Sequence, residues 1–409
     1  MTVSALASLL DNDLYKFTMQ NVVFKHYKDT RVVYQFTNRE KELQLNSEAV
    51  EWLQEQIREL ANLSLTEEEI KFLSNLPFFD TDYIDYLKTF RYQPLKHIVT
   101  SFDPTTNDFQ LEITGLWHET ILYEVPLLAL ISESYFRFVD KDWNYEGQHD
   151  LAHEKAKKLL QSGCLFSEFG TRRRRDFKTQ DLVVKALVDE HQLYHQSSSS
   201  SPKKGALSGT SNVYLAMKNN ITCIGTVAHE FFMGVSALEG IEHANKKTLE
   251  IWYDNYKGAL GIALTDTFTT GLFLKDFNKD LADKYIGVRQ DSGNPKDFIP
   301  LIVQHYQSLG IDPSTKVIVF SDALNVDRAT ELLSLSEQHG IKASFGIGTS
   351  FTNDYKKESN PAEKSKPLNI VIKLKECNGE RVIKLSDDAL KHSADKETID
   401  RFKHKLGLQ

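Results

Sequence analysis

A repeated pattern of short apolar runs and polar, glycine-rich segments constrains the fold of this chain more than any other feature. From about residue 146, runs of mostly three to five apolar residues each end in a polar segment and are followed by a helical stretch. The seven polar segments are SEFGTRRR, GTSN, GTVAHE, LTDTF, RQDSGNP, FSDALN and FGIGTSF. Short buried strands that alternate with helices indicate parallel βα units. We therefore predict a complete or nearly complete α/β barrel with its site at the carboxyl ends of the strands.

The first third of the chain mixes helices and strands of another type. Residues 31–36, RVVYQF, predict a strand, residues 47–90 predict three short helices, and residues 119–139 predict a long buried helix. Residues 366–386 return to β patterning, as two strands around an Asn378-Gly379 turn. We expect this hairpin to rejoin the first domain. The predicted limits are an N-terminal α/β domain over 1–140, completed by 366–409, and a barrel over 141–365.

Composition and charge narrow the classes of function. The net charge of −8 disfavours a broad basic face for nucleic acid. The three cysteines show no CxxC spacing, which fits a reduced intracellular protein. The N-terminal segment lacks a basic region before its short apolar part, and the apolar run 125–131 is too short to span a bilayer. We therefore expect a cytoplasmic protein, with the nucleus open to it and no membrane partner.

Four consecutive arginines, Arg172–Arg175, break the local rules of an acidic chain. They follow a predicted strand at the expected start of a helix, where cations oppose the helix dipole, and such violations cluster at functional sites. A bound anion would satisfy both the arginines and the free N–H groups. On a helix Arg172 and Arg175 would share a face, so we expect one or two arginines to contact a ligand and the others to pair with carboxylates. A solvated basic helix start is the alternative.

The later polar segments carry residue types suited to a phosphorylated sugar. Glycines in the segment 344–351, SFGIGTSF, would let backbone N–H groups approach a phosphate, although a tight turn has the same composition. Asp266, Asp291 and Asp322 suit ribose hydroxyls, Mg²⁺ or the orientation of a histidine, although each could cap a helix. His229, at a predicted helix start, is a candidate phosphoryl acceptor or a packing residue.

Nine segments in register along nearly the whole chain resemble the nicotinate phosphoribosyltransferase family in its fungal form. They are DNDLYKFTMQ, SEFGTRRRR, SGTSN, GTVAHE, LTDTF, GVRQDSG, FSDALN, FGIGTSFTND and PLNIVIKL. The resemblance implies a type II phosphoribosyltransferase fold, which is an α/β barrel beside an N-terminal α/β domain, in a homodimer with shared sites. It also implies that nicotinate and phosphoribosyl pyrophosphate react, with Mg²⁺ present, to nicotinate mononucleotide and pyrophosphate in NAD salvage. ATP hydrolysis would be coupled through a phosphohistidine at His229.

The resemblance also implies roles for residues that bind the base. Phe169 matches an aromatic that stacks on the pyridine ring, and Tyr15 matches a tyrosine that closes the other face and is expected from the partner subunit. Arg172 and Arg289 match positions near the base and pyrophosphate. Ser211 matches the position facing the ring substituent, where the amide-using relative carries an aspartate that would repel a carboxylate.

A second set of matches concerns the phosphoribosyl group and the histidine. Asp291 matches the ribose-binding aspartate, and Asp266 matches a partner of the histidine. The residues matched to phosphate and phosphoribosyl binding are Asp291, Gly293, Asp322, Gly346, Ile347, Gly348 and Thr349. Asn294 stands where close relatives have an aspartate, so no metal role is assigned to it, and the metal ligands stay undefined.

Three rival functions fit some of the same features. A barrel lyase acting on phosphosugars often uses a Schiff-base lysine at a strand end, and none of the seven polar segments carries one. A transferase acting on nicotinamide or quinolinate would share most of the site. A catalytically inactive nucleotide sensor would not need the full set of arginines and aspartates. One further segment, 197–204, SSSSSPKK, is either a mobile loop beside the site or a surface insertion.

Overall fold

The computed structural model describes residues 4–197 and 205–408, with the Leu390 side chain excepted, and contains two main sheets. Most of the low-complexity segment 197–204 lies outside the described residues, so its predicted role stays a prediction. The N-terminal strands are β1 (Arg31–Asn38), β2 (Ile98–Asp103) and β3 (Asp108–Leu116). The N-terminal helices are α1 (Leu14–His26), α2 (Ser47–Glu59), α3 (Glu67–Ser74), α4 (Thr81–Thr89), α5 (Pro94–His97), α6 (Trp117–Thr120) and α7 (Glu124–Phe138).

The central part of the chain alternates strands and helices. Its strands are β4 (Leu165–Glu168), β5 (Ala206–Thr210), β6 (Ile262–Leu264), β7 (Gly287–Gln290), β8 (Val317–Phe320) and β9 (Lys342–Ile347). Its helices are α8 (Gln148–Gln161), α9 (Phe177–Ser197), α10 (Val213–Asn219), α11 (His229–Leu238), α12 (Ala244–Tyr256), α13 (Thr270–Asp276), α14 (Lys279–Lys284), α15 (Pro295–Ser308), α16 (Val326–Gln338) and α17 (Thr349–Thr352). The last part contains β10 (Tyr355–Lys356), β11 (Lys364–Ser365), β12 (Ile370–Cys377), β13 (Glu380–Arg381) and α18 (Lys396–Lys405).

The six central strands form a parallel sheet that curls into an incomplete barrel. Their order is β5-β4-β9-β8-β7-β6, so the first strand of the unit pairs with the last. Within the described residues, β5 and β6 are the edge strands of this sheet and do not pair with each other. The predicted incomplete α/β barrel is thus confirmed, and the carboxyl ends of six strands open on one side.

The apolar run 221–224, ITCI, which precedes the polar segment GTVAHE and is expected to form a strand, is the exception that leaves the barrel incomplete. It is wrong as a strand, because the segment makes a single parallel bridge between Cys223 and Thr210. The segment then turns at Gly225, where a side chain would lie 3.0 Å from the Tyr15 nitrogen. Between this segment and β6, the Thr226 hydroxyl donates to the Leu260 carbonyl at 2.9 Å, which is a side-chain contact and not strand pairing. This detour brings the first helix of the chain against the barrel rim.

The second sheet is antiparallel in its described strand pairs and joins the two ends of the chain. Its order is β13-β12-β1-β3-β2, and β1 pairs with β12 from Val32↔Cys377 to Asn38↔Ile370. The C-terminal hairpin is shorter than predicted, because β13 pairs for only two residues. Beyond it, Leu385 donates its N–H to the Thr267 carbonyl at 2.8 Å, next to the barrel rim. The C-terminal segment therefore crosses from the sheet to the strand ends of the barrel.

The long helix predicted over 119–139 begins later than expected. A short helix and a 3₁₀ turn over Ile121–Tyr123 precede α7, which starts at Glu124. Pro126 lies in its first turn, where proline is tolerated because the N–H would lack an intrahelical acceptor anyway. Nearly the whole of α7 is buried. No helix within the described residues is both long and apolar enough for a membrane crossing.

Candidate active site

His229, Asp266 and Asp291 come together at the open end of the barrel. His229 is the first residue of α11, as predicted, and its Nε2 lies 2.8 Å from Asp266 Oδ1 and 3.7 Å from Asp291 Oδ2. Asp266 and Asp291 follow the neighbouring strands β6 and β7, whose parallel pairing places their ends side by side. The fold thus places three residues that the sequence predicted for the site in one cluster.

The protonation states of the cluster follow from its surroundings. Burial lowers the pKa of His229, and the nearby Lys384 ammonium lowers it further. Burial alone would raise the pKa of Asp266, but His229 and Lys384 hold it well below its usual range. A neutral His229 therefore donates Nε2–H to an ionised Asp266. Its Nδ1 keeps a free lone pair, which is the property that a nucleophile requires.

The C-terminal segment supplies site residues that the sequence interpretation missed. Lys384 Nζ lies 3.3 Å from Asp266 Oδ2 and 3.8 Å from Asp291 Oδ2. The hydroxyl of Ser386 contacts that of Ser292 at 2.8 Å, and Ser292 donates to Asp266 Oδ2 at 2.6 Å. The missed signal was the alternation of RVIKLSD, which resembles a strand although the backbone leaves the sheet. Ser386 has a φ of 58°, which turns the chain toward the cluster.

Asp291 and Asp322 are each held by cations. Arg289 donates to Asp291 Oδ1 at 3.0 Å and to the Ser321 hydroxyl at 2.8 Å. Burial would raise the pKa of Asp291, but Arg289, Lys384 and His229 lower it below its usual range. Lys391, which is also C-terminal, lies 2.5 Å from Asp322 and 2.9 Å from the Asp291 carbonyl. The carboxylates of Asp291 and Asp322, predicted at the carboxyl ends of strands, thus each lie close to lysine or arginine side chains.

The loop formed by residues 346–349, GIGT, packs against the turn that carries Phe169. Because β9 pairs with β4, the N–H of Phe169 donates to the Ile347 carbonyl at 2.8 Å. A side chain at Gly346 would lie 2.3 Å from the Phe169 ring, and one at Gly348 would lie 2.9 Å from the Phe169 carbonyl. Only glycine allows this approach. Thr349 begins α17 directly after the loop.

Two further predicted positions lie at the ends of β7 and its loop. Gly293 has a φ of 76° and accepts a hydrogen bond from Gln290 at 3.1 Å, so its role here is conformational as well. Asn294 accepts from the Lys296 N–H at 3.1 Å and caps α15. The observed role of Asn294 is therefore that of a helix cap.

Ser211 and Tyr15 lie where the first helix meets the barrel. The Ser211 hydroxyl donates to Asp13 Oδ1 at 2.8 Å, and its carbonyl accepts from the Leu14 N–H at 2.8 Å. Burial raises the pKa of Asp13, which the sequence interpretation did not single out. The Tyr15 hydroxyl is 3.5 Å from Glu124, and Arg172 Nη1 is 3.6 Å from the same carboxylate.

The arginine run is not helical, which corrects the prediction that Arg172 and Arg175 share a helix face. Thr171–Arg173 form a 3₁₀ turn, and α9 begins only at Phe177. Asp176 accepts from the Thr179 N–H at 2.7 Å and so caps the helix after the last arginine. The four side chains consequently diverge.

Each arginine has a different environment. The fully buried Arg174 makes a two-pronged contact with Asp11 at 2.7 and 2.8 Å. Arg175 is buried among aromatic rings, with its guanidinium carbon 3.7 Å from the Phe136 ring centre. Arg173 donates to the Ile370 carbonyl at 3.1 Å. Arg172 keeps 46% of its side chain exposed and is the arginine best placed to meet a ligand.

Comparisons with known proteins identify the family of the chain. The Nicotinate phosphoribosyltransferase (NAPRTase) family model matches residues 164–409, and the model of its N-terminal domain matches residues 10–132. The chain is 48% identical to a probable nicotinate phosphoribosyltransferase from Schizosaccharomyces pombe, covering 100% of this chain and 99% of that protein. It is 44% identical to the nicotinate phosphoribosyltransferase of Saccharomyces cerevisiae, covering 100% and 96%.

Solved structures extend the likeness to the fold. A crystal structure from Saccharomyces cerevisiae superimposes with a TM-score of 0.94 at 42% identity, over 100% of both chains. The nicotinate phosphoribosyltransferase of Porphyromonas gingivalis gives a TM-score of 0.89 at 35% identity, over 99% of this chain and 100% of that one. The incomplete barrel and its N-terminal domain are therefore those of a type II phosphoribosyltransferase, and the chain belongs to the nicotinate phosphoribosyltransferase family.

Proposed function

We propose that this protein transfers the phosphoribosyl group of phosphoribosyl pyrophosphate to nicotinate, forming nicotinate mononucleotide and pyrophosphate in NAD biosynthesis. The observation that carries the proposal is the convergence of His229, Asp266 and Asp291 at one end of an incomplete barrel. The exposed Arg172 and the Phe169 turn belong to the same barrel end. The printed names of the relatives support the same activity.

Nicotinate binding would use the residues around Phe169. The ring of Phe169, braced by Gly346, offers a flat apolar surface for the pyridine ring. Arg172 can pair with the carboxylate, since 46% of its side chain is exposed and its contact with Glu124, at 3.6 Å, is longer than a hydrogen bond. Ser211 would present a neutral hydroxyl rather than a carboxylate to the ring substituent, which favours the acid over the amide.

Phosphoribosyl transfer needs positioning and charge stabilisation more than a protein nucleophile. The pyridine nitrogen forms a bond to C1 of the ribose while the bond from C1 to pyrophosphate breaks. Asp291 would hold the ribose hydroxyls, and the loop Gly346–Thr349 would hold the 5′-phosphate. Arg289, Lys384 and Lys391 would stabilise the negative charge that develops on pyrophosphate.

Mg²⁺ would bind beside these groups. The donor atoms of His229, Asp266 and Asp291 lie within 4.8 Å of one another, and carboxylate oxygens together with substrate phosphates are the ligands that Mg²⁺ prefers. Asp266 and Asp291 would hold the ion, which would supply positive charge to the pyrophosphate. Lys384 and Arg289 contribute charge of the same sign from the protein.

ATP coupling would proceed through His229. Its free Nδ1 would attack the γ-phosphorus, forming a P–N bond while the bond to the ADP oxygen breaks. Asp266 stabilises the imidazole as it becomes positively charged. Water later cleaves the P–N bond and releases phosphate. The histidine lies at the N-terminus of α11, where the helix dipole favours the added negative charge.

We further propose that the protein works as a homodimer whose sites are shared between subunits. Support comes from the family likeness alone, because Tyr15, which the resemblance assigns to the partner's site, lies near Arg172 and Glu124 of its own chain. Sedimentation of the full chain would measure the oligomeric state. Recovery of ATP-dependent transfer on mixing a His229→Ala subunit, which lacks ATP coupling, with a Tyr15→Ala subunit would then test whether sites are shared.

The decisive test of the activity is a radiolabelled nicotinate assay with and without ATP. We expect labelled mononucleotide and stoichiometric pyrophosphate, with ATP lowering the nicotinate KM. Nicotinamide and quinolinate serve as competing bases, and preference for either would contradict the proposal. Failure to form pyrophosphate from nicotinate would favour an inactive nucleotide sensor.

A further inference from the structure

One buried lysine connects the two halves of the proposed site. Lys16, on α1, is completely buried and pairs with Glu124 Oε2 at 2.5 Å and with Glu230 Oε2. Burial alone would lower its pKa, but the two carboxylates raise it above its usual value, so it stays charged. We call Lys16, Glu124 and Glu230 the Lys16 bridge. A buried cation that serves two carboxylates divides its hydrogen bonds between them.

The first end of the bridge adjoins His229. Glu230 follows it directly in the first turn of α11. Its other oxygen, Oε1, accepts from the Tyr34 hydroxyl at 2.5 Å and from Trp117 Nε1 at 2.8 Å. Any movement of the first turn of α11 therefore changes the contact between Glu230 and Lys16.

The other end of the bridge holds the base-binding arginine. Glu124 begins α7, and its Oε1 is 3.6 Å from Arg172 Nη1. Its Oε2, which faces Lys16, is also 3.5 Å from the Tyr15 hydroxyl. A nicotinate carboxylate would compete with Glu124 for Arg172, since both are anions seeking the same guanidinium.

We propose that the Lys16 bridge couples phosphorylation of His229 to nicotinate binding at Arg172. This inference rests on the ATP coupling proposed above. A phosphoryl group on His229 adds negative charge beside Asp266 and Asp291, and the repulsion displaces the first turn of α11. As Glu230 withdraws, Lys16 turns its hydrogen bonds to Glu124. The neutralised Glu124 releases Arg172, which then binds the base more tightly.

The bridge makes a directional prediction for two conservative variants. Glu124→Gln removes the charge that competes with the base, and Glu230→Gln leaves Lys16 to Glu124 alone. We expect either variant to lower the nicotinate KM measured without ATP, by about fivefold or more, toward the value with ATP. The effect of ATP on KM shrinks accordingly. A purely structural role predicts the opposite sign, because damage to a binding site raises KM.

The experiment measures the nicotinate KM with and without ATP, alongside ³²P labelling from γ-labelled ATP. Glu69→Gln is the matched control, since Glu69 is also buried but contacts Ser8 and Thr66 rather than the bridge. Its two KM values should equal those of the unsubstituted protein. The two bridge variants probe the same coupling from opposite ends, so failure of one to fold leaves the other as the test.

The outcomes separate this inference from the proposed function. Absence of labelling in the unsubstituted protein would refute the ATP coupling itself. Normal labelling together with an unchanged or raised ATP-free KM in Glu124→Gln and Glu230→Gln would overturn the bridge. A lowered ATP-free KM in either variant, with labelling retained, supports it.

A second, independent inference concerns helices α8 and α9 on the outside of the barrel. His149 and His153 lie one turn apart on α8 and face Asp189 on α9, with the donor atoms of all three within 4.8 Å of one another. His153 Nδ1 is 3.2 Å from Glu190 Oε2, which fixes the tautomer and leaves Nε2 free to coordinate. Asp189 also pairs with Lys185 at 2.8 Å, but 65% of that lysine side chain is exposed and can move away.

We infer that His149, His153 and Asp189 form a binding site for Zn²⁺ or a similar divalent transition metal. Two imidazoles and one carboxylate are a common zinc donor set, and water would complete a tetrahedron. The ion would clamp α8 to α9, the helices that flank the strand leading to the arginine turn.

Zinc affinity of the full chain, measured by competition with a chromophoric chelator, tests this site. We expect His153→Gln to weaken the binding of one Zn²⁺ by roughly tenfold or more, and to abolish a zinc-dependent rise in Tm. His195→Gln is the control, because His195 packs edge-to-face against His191 on the same α9 but is outside the three-residue set. Equal affinity in both variants would overturn the site, as would loss of binding only in His229→Ala.

Discussion

The Nε2 atom of His229 lies 2.8 Å from Oδ1 of Asp266, at the first residue of α11. This contact assigns the proton of the neutral imidazole to Nε2 and directs the Nδ1 lone pair to a ligand. The arrangement combines an oriented base with a helix N-terminus. Both features favour a transient phosphoryl group over a merely packed histidine.

His229→Ala should abolish ATP hydrolysis and ³²P labelling from γ-labelled ATP while leaving weak ATP-independent transfer. The reason is that the proposed phosphoribosyl transfer would use Asp291 and the cations rather than the histidine. His243→Gln, which removes an exposed histidine paired with Asp276, should retain full labelling. Labelling that persists in His229→Ala would place the phosphoryl group elsewhere.

The pH dependence of labelling should reflect the lowered pKa of His229. Its burial and the Lys384 charge shift the pKa below the ordinary 6.5, so the neutral, nucleophilic form dominates at pH 7. We expect the labelling rate to stay constant from pH 8 to about 6.5 and to fall only at lower pH. The contribution of His229 to folding stability also falls as the pH drops below 6.5, because the unfolded chain, in which the histidine has its ordinary pKa, binds the proton at a higher pH than the folded protein does. A midpoint above 6.5 would contradict the assignment.

Substitution of two arginines of the same run should affect two different properties, substrate binding for Arg172 and folding stability for Arg174. Arg172→Ala should raise the nicotinate KM roughly 10- to 100-fold with little change in Tm, since it removes a charged contact to the base. Arg174→Met should lower the free energy of unfolding by about 3–5 kcal/mol, because it leaves the buried Asp11 unpaired. Steady-state kinetics and thermal denaturation of the two proteins would measure the difference.

Gly346→Ala should weaken base binding by displacing the Phe169 ring, which would lie 2.3 Å from the new methyl group. Overpacking of this kind costs about 1–3 kcal/mol, so we expect the nicotinate KM to rise roughly tenfold. Gly271→Ala is the matched control, because its added methyl group has no neighbour within 4 Å. Equal kinetics for the two variants would exclude Phe169 from the base site.

Ser211→Asp should reduce the preference for nicotinate over nicotinamide. The new carboxylate would lie beside Asp13, to which the serine now donates at 2.8 Å, and would repel an acidic base. We expect the nicotinate KM to rise by about tenfold or more. Ser211→Ala, which lacks the added charge, separates repulsion from loss of the hydroxyl. An unchanged ratio of the two bases would refute the role of this position.

The arginine run, Arg172–Arg175, shows what a local sequence pattern can and cannot predict. Its unusual charge predicts that one or two arginines contact a ligand, which stays a prediction for the exposed Arg172. The prediction that the others pair with carboxylates holds for Arg174 with Asp11, whereas Arg173 donates to a backbone carbonyl and Arg175 lies among aromatic rings. The helical spacing assumed for them was wrong, because the Asp176 cap delays α9 until Phe177. A capping aspartate three residues before its N–H donor is visible in the sequence, but the four preceding cations obscure where the helix begins.

Lys384 and Lys391 could not be found from their neighbours in the sequence. Lys384 lies on a segment whose alternation predicts a strand, and Lys391 lies in the 3₁₀ turn Ala389–Lys391 that follows it. Both reach the site because β13 ends after two residues. The Lys16 bridge is likewise invisible in sequence, since its members are separated by more than a hundred residues and meet through packing of α1, α7 and α11.

The sequence by itself determined the alternation of strands and helices, the polar ends of the strands and the identity of the residues placed there. These follow from local physics, because apolar periodicity sets the elements and parallel pairing aligns their ends. The tertiary structure alone decided that the barrel stays open at Cys223, that the C-terminal segment completes the charge around Asp266, and that three of four arginines serve the fold. Such outcomes depend on long-range contacts between buried charges, whose partners no local pattern specifies.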